Sequence, residues 1–141
     1  MTPTRPPTAT ELLQDAGVRQ VIEQAWLDSL ANDPILRHEE GGWIYLDLTS
    51  GVLSFIRAIA GATSGISLSA PPTVAGAVVV GKFHTHPNPE IEGWTTGPSP
   101  SDLRIDAAHG VPDLIRAEDG VHFSGPVTRR GGLAGGPGYP P

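Results

Sequence analysis

The sequence predicts a single mixed α/β domain of the α+β kind, a mixed sheet flanked by helices. Three observations carry that expectation. A helical apolar stripe opens the chain, and the run VAGAVVVGKFHTH near its middle has the composition of a buried strand. The other strand-like segments fall on either side of one short helix, so the order is helix, strands, helix, strands and not a regular strand–helix alternation.

Each element has a local reason. Thr8-Ala-Thr-Glu11 has the form of a capping box, and ELLQDAGVRQVIEQAWLDSL follows it. There Val18, Val21, Ile22, Trp26, Leu27 and Leu30 make one helical stripe, with a break expected at Gly17. GGWIYLDL and VLSFIRAIA read as strands of a hairpin turning at Thr49-Ser50-Gly51, and GATSGISLSAPPT as a loop with room for a short strand. The unbroken apolar run of VAGAVVVGKFHTH predicts burial on both faces. SPSDLRIDAAHG reads as a short helix, with Pro100 in its first turn and Gly110 past its end. VPDLIRAE and VHFSGP, separated by Asp119-Gly120, form a closing hairpin.

Glycine and proline concentrate at the ends. MTPTRPP opens the chain, and TRRGGLAGGPGYPP closes it with eight Gly or Pro in fourteen residues. Residues 1–7 and 128–141 are therefore expected as disordered tails around a folded domain over 8–127. At 141 residues that domain is long enough to bury a core. A net charge of −6 argues against nucleic acid or an anionic membrane as partner, and the lack of cysteine excludes disulfides and thiolate metal sites. No run approaches a spanning helix. The start MTPTRPPTATE lacks the basic-then-apolar order of a signal peptide, so the cytoplasm is the default expectation.

Two histidines one residue apart end the buried strand, in GKFHTHPNP. Residues two apart on a strand share a face, so His84 and His86 point the same way and Thr85 to the other side. Two neutral imidazoles so placed can bind one divalent ion, and zinc suits nitrogen and carboxylate ligands. A catalytic zinc site needs a third protein ligand and an open position for water, and Asp102 is the candidate. Separately, each piece has a structural reading: histidines at strand ends are often polar surface, and Ser99-Pro-Ser-Asp102 is a good helix N-terminus.

Together, HTHP followed by PSPSD resembles the His-x-His-Pro … Ser-x-x-Asp signature of the JAMM (MPN-type) zinc metalloprotease family, over roughly residues 10–125. The resemblance implies the family's fold, a mixed sheet of the kind also seen in cytidine deaminases, and a compact, prokaryotic-type member. It implies a glutamate in a Glu-x-x-Gly context, which Glu39-Glu-Gly-Gly42 supplies. It further implies zinc held by His84, His86 and Asp102, Glu39 as general acid–base, Ser99 as oxyanion support, and a protein substrate. The reaction the resemblance implies is hydrolysis of a peptide or isopeptide bond, typically after the C-terminal glycine of a ubiquitin-like protein. A catalytically silent MPN scaffold and a metal-dependent hydrolase of another substrate are the alternatives.

Eleven residues, NPEIEGWTTGP, stand where the family has about seven, and this loop brings Glu90, Glu92 and Trp94 to the mouth of the proposed site. RadC-like proteins share the His-x-His-Pro element but continue Ser-Gly, which HTHPNP lacks. The choice between Glu39 and Glu40 rests on the family spacing together with a bulge expected at Gly41-Gly42, which would reset the register between the glutamates and the strand. His38, His109 and His122 have no ligand spacing and are expected on the surface. Asp106, one turn after Asp102, is expected on a solvated helix face. Arg129-Arg-Gly-Gly132 has the ending of a ubiquitin-like modifier, which in so glycine-rich a tail reads as coincidence.

Overall fold

Apolar alternation decides which way each strand faces. In strand β1 (Gly41–Asp47), Ile44 and Leu46 turn to one side and Trp43 and Tyr45 to the other, and all four are buried. That is the period-two pattern of a strand covered on both faces. The structure is a computed structural model that describes residues 6–125 and 128–135, of which 106–107 and 128–135 by backbone alone. β1 pairs antiparallel with β2 (Leu53–Arg57) and with β3 (Ala77–Thr85). β3 pairs parallel with β4 (Asp113–Ala117), and β5 (Gly120–Gly125) continues antiparallel. The one parallel pair needs a crossover, and helix α3 (Pro100–His109) lies in it. The chain is thus one α+β domain with a mixed sheet.

Helices α1 (Ala9–Leu13) and α2 (Ala16–Asp28) cover one face. Leu12, Leu13, Val18, Ile22 and Ala25 pack there against Ile44, Phe83 and Leu114. Each large aliphatic side chain so buried contributes about 1.5–3 kcal/mol. The capping box is present, with Glu11 N donating to Thr8 Oγ1 at 3.2 Å and Thr8 N to Glu11 Oε1 at 3.0 Å. The break comes before Ala16 and not at Gly17, because Asp15 caps α2 by accepting from Val18 N at 3.0 Å. Leu27 and Leu30 leave the expected stripe and are 63% and 45% exposed. At about 100° per residue Leu27 stands opposite Val18, and Leu30 lies beyond the helix at φ 54°. Gly110 follows α3 at φ 75°, the left-handed end expected of it.

The other face holds a smaller core of Trp43, Tyr45 and Leu68, closed by the loop from Ile66 to Val74. Trp43 Nε1 donates to Leu68 O at 3.1 Å and Tyr45 Oη to Pro72 O at 2.6 Å, which fixes that loop beside the sheet. The short strand expected in this region is reduced to a single bridge between Ala62 and Gly65.

Two expectations are corrected. The bulge is not at Gly41-Gly42: pairing with β3 runs in register from Gly41↔His84 to Ile44↔Gly81, and the shift falls between Ile44 and Tyr45. The glycines instead permit close approach. A Cβ on Gly41 would lie 2.4 Å from Phe83 O, and one on Gly42 2.1 Å from Ile56 O. The second correction concerns the C-terminal segment: within the stretch expected as a tail, Thr128–Gly135 form strand β6 along the outer edge of β5, giving the sheet order β2-β1-β3-β4-β5-β6. The edge of β5 presents backbone N–H and C=O groups that a further strand satisfies. Residues 1–5 and 136–141 of the expected tails lie outside the described residues. Among the described residues no helix is long and apolar enough to cross a membrane.

Gly42→Ala should destabilise the protein by about 1–3 kcal/mol or more in urea unfolding, since the new methyl meets backbone that cannot step aside. Gly65→Ala, whose Cβ would meet nothing within 4 Å, should stay within about 0.5 kcal/mol of the parent. Equal effects of the two would remove the close-approach account.

Candidate metal centre

The end of β3 sets the geometry. Thr85 turns toward the helices, where its Oγ1 lies 2.6 Å from Ser29 Oγ and accepts from Glu40 N at 3.0 Å. His84 and His86 therefore turn to the opposite face, with their Nε2 atoms 3.1 Å apart. Asp102 reaches them from the first turn of α3, its Oδ1 3.6 Å from His84 Nε2 and its Oδ2 3.2 Å from His86 Nε2. A reciprocal cap holds that carboxylate: Ser99 N donates to Asp102 Oδ2 at 2.9 Å and Asp102 N to Ser99 Oγ at 3.0 Å. The helix-capping reading and the ligand reading of Ser99-Pro-Ser-Asp102 thus describe one arrangement.

Tetrahedral zinc with ligands at about 2.0–2.1 Å has neighbouring donor atoms about 3.3 Å apart. The three separations among His84, His86 and Asp102 bracket that value. Glu39 belongs to the same cluster: one carboxylate oxygen and the nitrogens of His84 and His86 all lie within 4.8 Å of one another. Glu39 accordingly could serve either as a further ligand or as a base beside one, and Asp102 approaches both imidazoles within 3.6 Å.

Alternation along the chain separates the two glutamates. Gly41 registers with His84, so Glu39, two residues earlier, takes the metal face without any bulge. Its backbone is fixed on both sides, Glu39 N donating to Ala62 O and Gly61 N to Glu39 O, each at 2.8 Å. Glu40 turns the other way into an ion pair, its Oε1 accepting from Arg57 Nη2 at 2.7 Å and its Oε2 lying 2.5 Å from His38 Nε2.

A cavity of about 480 Å³ surrounds the cluster, and its titratable lining comprises Glu39, Lys82, His84, His86, Asp102, His109 and Asp113. Three carboxylates against one ammonium leave two negative charges, which a dication or protonated histidines would balance. The pKa shifts reflect this. Burial alone would lower the pKa of His84, but Asp113 and Asp102 outweigh it and hold the imidazole well above its ordinary value. Burial likewise opposes the charge on Asp102, yet His84 and His86 hold its carboxyl well below the usual range. Burial pushes Glu39 up, only partly offset by the histidines. The carboxylates that raise the pKa of His84 would also favour a cation beside it.

Some expected residues stand elsewhere. Trp94, 44% exposed, lines the cavity mouth, whereas Glu92 turns to the Arg37 guanidinium with both oxygens at 3.2 Å. The loop over residues 88–98 is tied down further by Asn88 Nδ2 donating to Thr63 O at 2.8 Å and Thr96 Oγ1 to Asp119 Oδ2 at 3.0 Å. His38 and His122 are partly buried and paired with Glu40 and Asp119. His109 borders the cavity, its Nδ1 accepting from Lys82 Nζ at 2.7 Å. The Asp106 side chain lies outside the described residues. Asp113 was not singled out in the sequence. It is 1% exposed and its Oδ1 lies 3.1 Å from His84 Nδ1. An acidic residue directly after Val111-Pro112 and before the apolar pair Leu114-Ile115 is the signal that could have marked it. Comparison with family models, curated proteins and solved structures finds no match to this chain.

Purified protein should bind about one zinc per chain. Zinc at a hundred times its dissociation constant should raise stability by about 2.7 kcal/mol. His84→Ala and Asp102→Ala should lose that gain, and undiminished stabilisation in His84→Ala would overturn the ligand assignment. Glu40→Gln should cost about 1–3 kcal/mol of stability through the Arg57 pair and still bind zinc.

Proposed function

We propose that the protein is a zinc-dependent metallopeptidase or isopeptidase of the JAMM (MPN) type. Its substrate would be an amide bond after the C-terminal glycine of a ubiquitin-like protein, or one in a partner protein. The observation that carries this reading is the convergence of Glu39, His84, His86 and Asp102, from three separate parts of the chain, on one cavity. A mixed sheet with helices on it, and a cap joining Ser99 to Asp102, agree with the MPN fold that the resemblance implies.

His84, His86 and Asp102 would hold the metal. Bound zinc supplies Lewis acidity and brings the pKa of water toward about 7. The remaining work falls to the chain's own groups. Glu39 accepts a proton from the attacking water and returns it to the departing amine, a role suited by a carboxyl whose pKa burial has raised. Ser99 Oγ accepts from Asp102 N, which leaves its hydroxyl proton free to donate to the developing oxyanion in the cavity. Trp94 at the mouth gives the substrate an aromatic wall.

Cleavage of linear and isopeptide-linked ubiquitin-like conjugates, read by mass, tests the reading. Glu39→Gln should keep zinc and fold and lose nearly all hydrolysis, while Glu40→Gln stays active. Ser99→Ala should cost about 1 kcal/mol of stability and lower turnover roughly 10²-fold with zinc still bound. Full activity of Glu39→Gln would remove the mechanism. Zinc binding without cleavage of any such conjugate would move the substrate to another class.

A further inference from the structure

We infer that Asp113 is a positioning residue that fixes the tautomer and ring orientation of His84. The inference rests on the metal reading of His84 but concerns a residue that the sequence motif does not contain. The parallel pairing of β3 with β4 creates the contact. Lys82 registers with Asp113 and His84 with Ile115, so Asp113 stands beside His84 on the cavity face. Pro112 O accepts from Lys82 N at 3.0 Å, which locks that register at the start of β4.

His84 and Asp113 are 4% and 1% exposed, and His84 Nδ1 lies 3.1 Å from Asp113 Oδ1. A carboxylate there is an acceptor only, so the ring must carry its proton on Nδ1. That leaves the Nε2 lone pair directed at His86 and Asp102, where an ion would sit. Without the contact, an imidazole could place its proton on Nε2 or rotate, and either change removes a ligand. Among the described residues His86 has no such carboxylate on Nδ1, and its Nε2 faces His84 and Asp102. The centre therefore depends unequally on its two histidines. Lys82, 3% exposed, lies on the same face with its Nζ donating to His109 Nδ1. Outer partners of this sort are typically worth about 10–100-fold in metal affinity.

The test uses the full chain and zinc alone. Zinc dissociation constants are measured for the parent, Asp113→Asn and Asp113→Ala, and nitrogen-correlated NMR of the zinc-loaded proteins reads the His84 ring. The parent should show an Nδ1–H signal protected from exchange. Asp113→Asn, which can still accept through its amide oxygen, should weaken binding about 10-fold and keep that signal. Asp113→Ala should weaken binding about 100-fold and lose it. Parental affinity with an unchanged His84 signal in Asp113→Ala overturns the inference. If Asp113→Ala does not fold, parental affinity in Asp113→Asn together with an unbonded Nδ1–H overturns it instead. A parent that binds no zinc would sink the metal reading itself, and that result is distinct from either outcome.

Discussion

Burying charge is costly unless it is paired, and this protein gathers Glu39, Asp102, Asp113 and Lys82 around two imidazoles on one face of its sheet. Much of the surrounding structure is explained by the need to hold those groups close together and hydrogen-bonded. The strand that carries the histidines occupies the middle of the sheet, between β1 and β4, where both edges are paired. Asp102 is held by its own helix cap, and Asp113 by the neighbouring parallel strand. These four side chains come from separate parts of the chain, so the cluster exists only in the folded chain. The same excess of negative charge that makes the cluster expensive would favour a dication there.

Close backbone approach is the second requirement. Gly41 lies against the backbone and Cβ of His84, and Gly42 against Ile56 O, so β1 can run tightly between its neighbours. That tightness carries Glu39 to the histidines by simple alternation and sends Glu40 to Arg57. The register shift lies further along, where Val80 and Gly81 stand opposite Ile44, and it lets Val80 join the helix-side core while Val79 joins the other. One extra residue in β3 thus sends Val79 and Val80 to opposite cores, while Val78 ahead of them is 43% exposed, so the apolar run is not buried along its whole length as its composition predicts.

Much of this was legible in the sequence. The capping box at Thr8, the apolar run before His84, the hairpin at Asp119-Gly120 and the glycine after α3 each depend on neighbours in the chain, and each is where local chemistry puts it. The separation of Thr85 from the two histidines followed from strand period alone. What was not legible depends on contacts between distant segments. Asp113 matters because β4 lies parallel to β3 in one particular register, and nothing in VPDLIRAE announces that pairing. A glycine pair on paper suits a bulge as well as a close approach, and only the facing backbone distinguishes them. Leu27 looked like core because it is apolar, yet its helical angle turns it outward. The glycine-rich strand β6 lacks the composition of a strand and follows the open edge of β5 instead.

The central claim is that His84, His86 and Asp102 form one cation site on the cavity face. Anomalous diffraction from zinc-soaked crystals, collected on both sides of the zinc edge, tests it most directly. The account predicts one strong peak within bonding distance of the Nε2 atoms of His84 and His86 and a carboxylate oxygen of Asp102. No peak in the cavity, or a peak held by His38 and Glu40 instead, would contradict it.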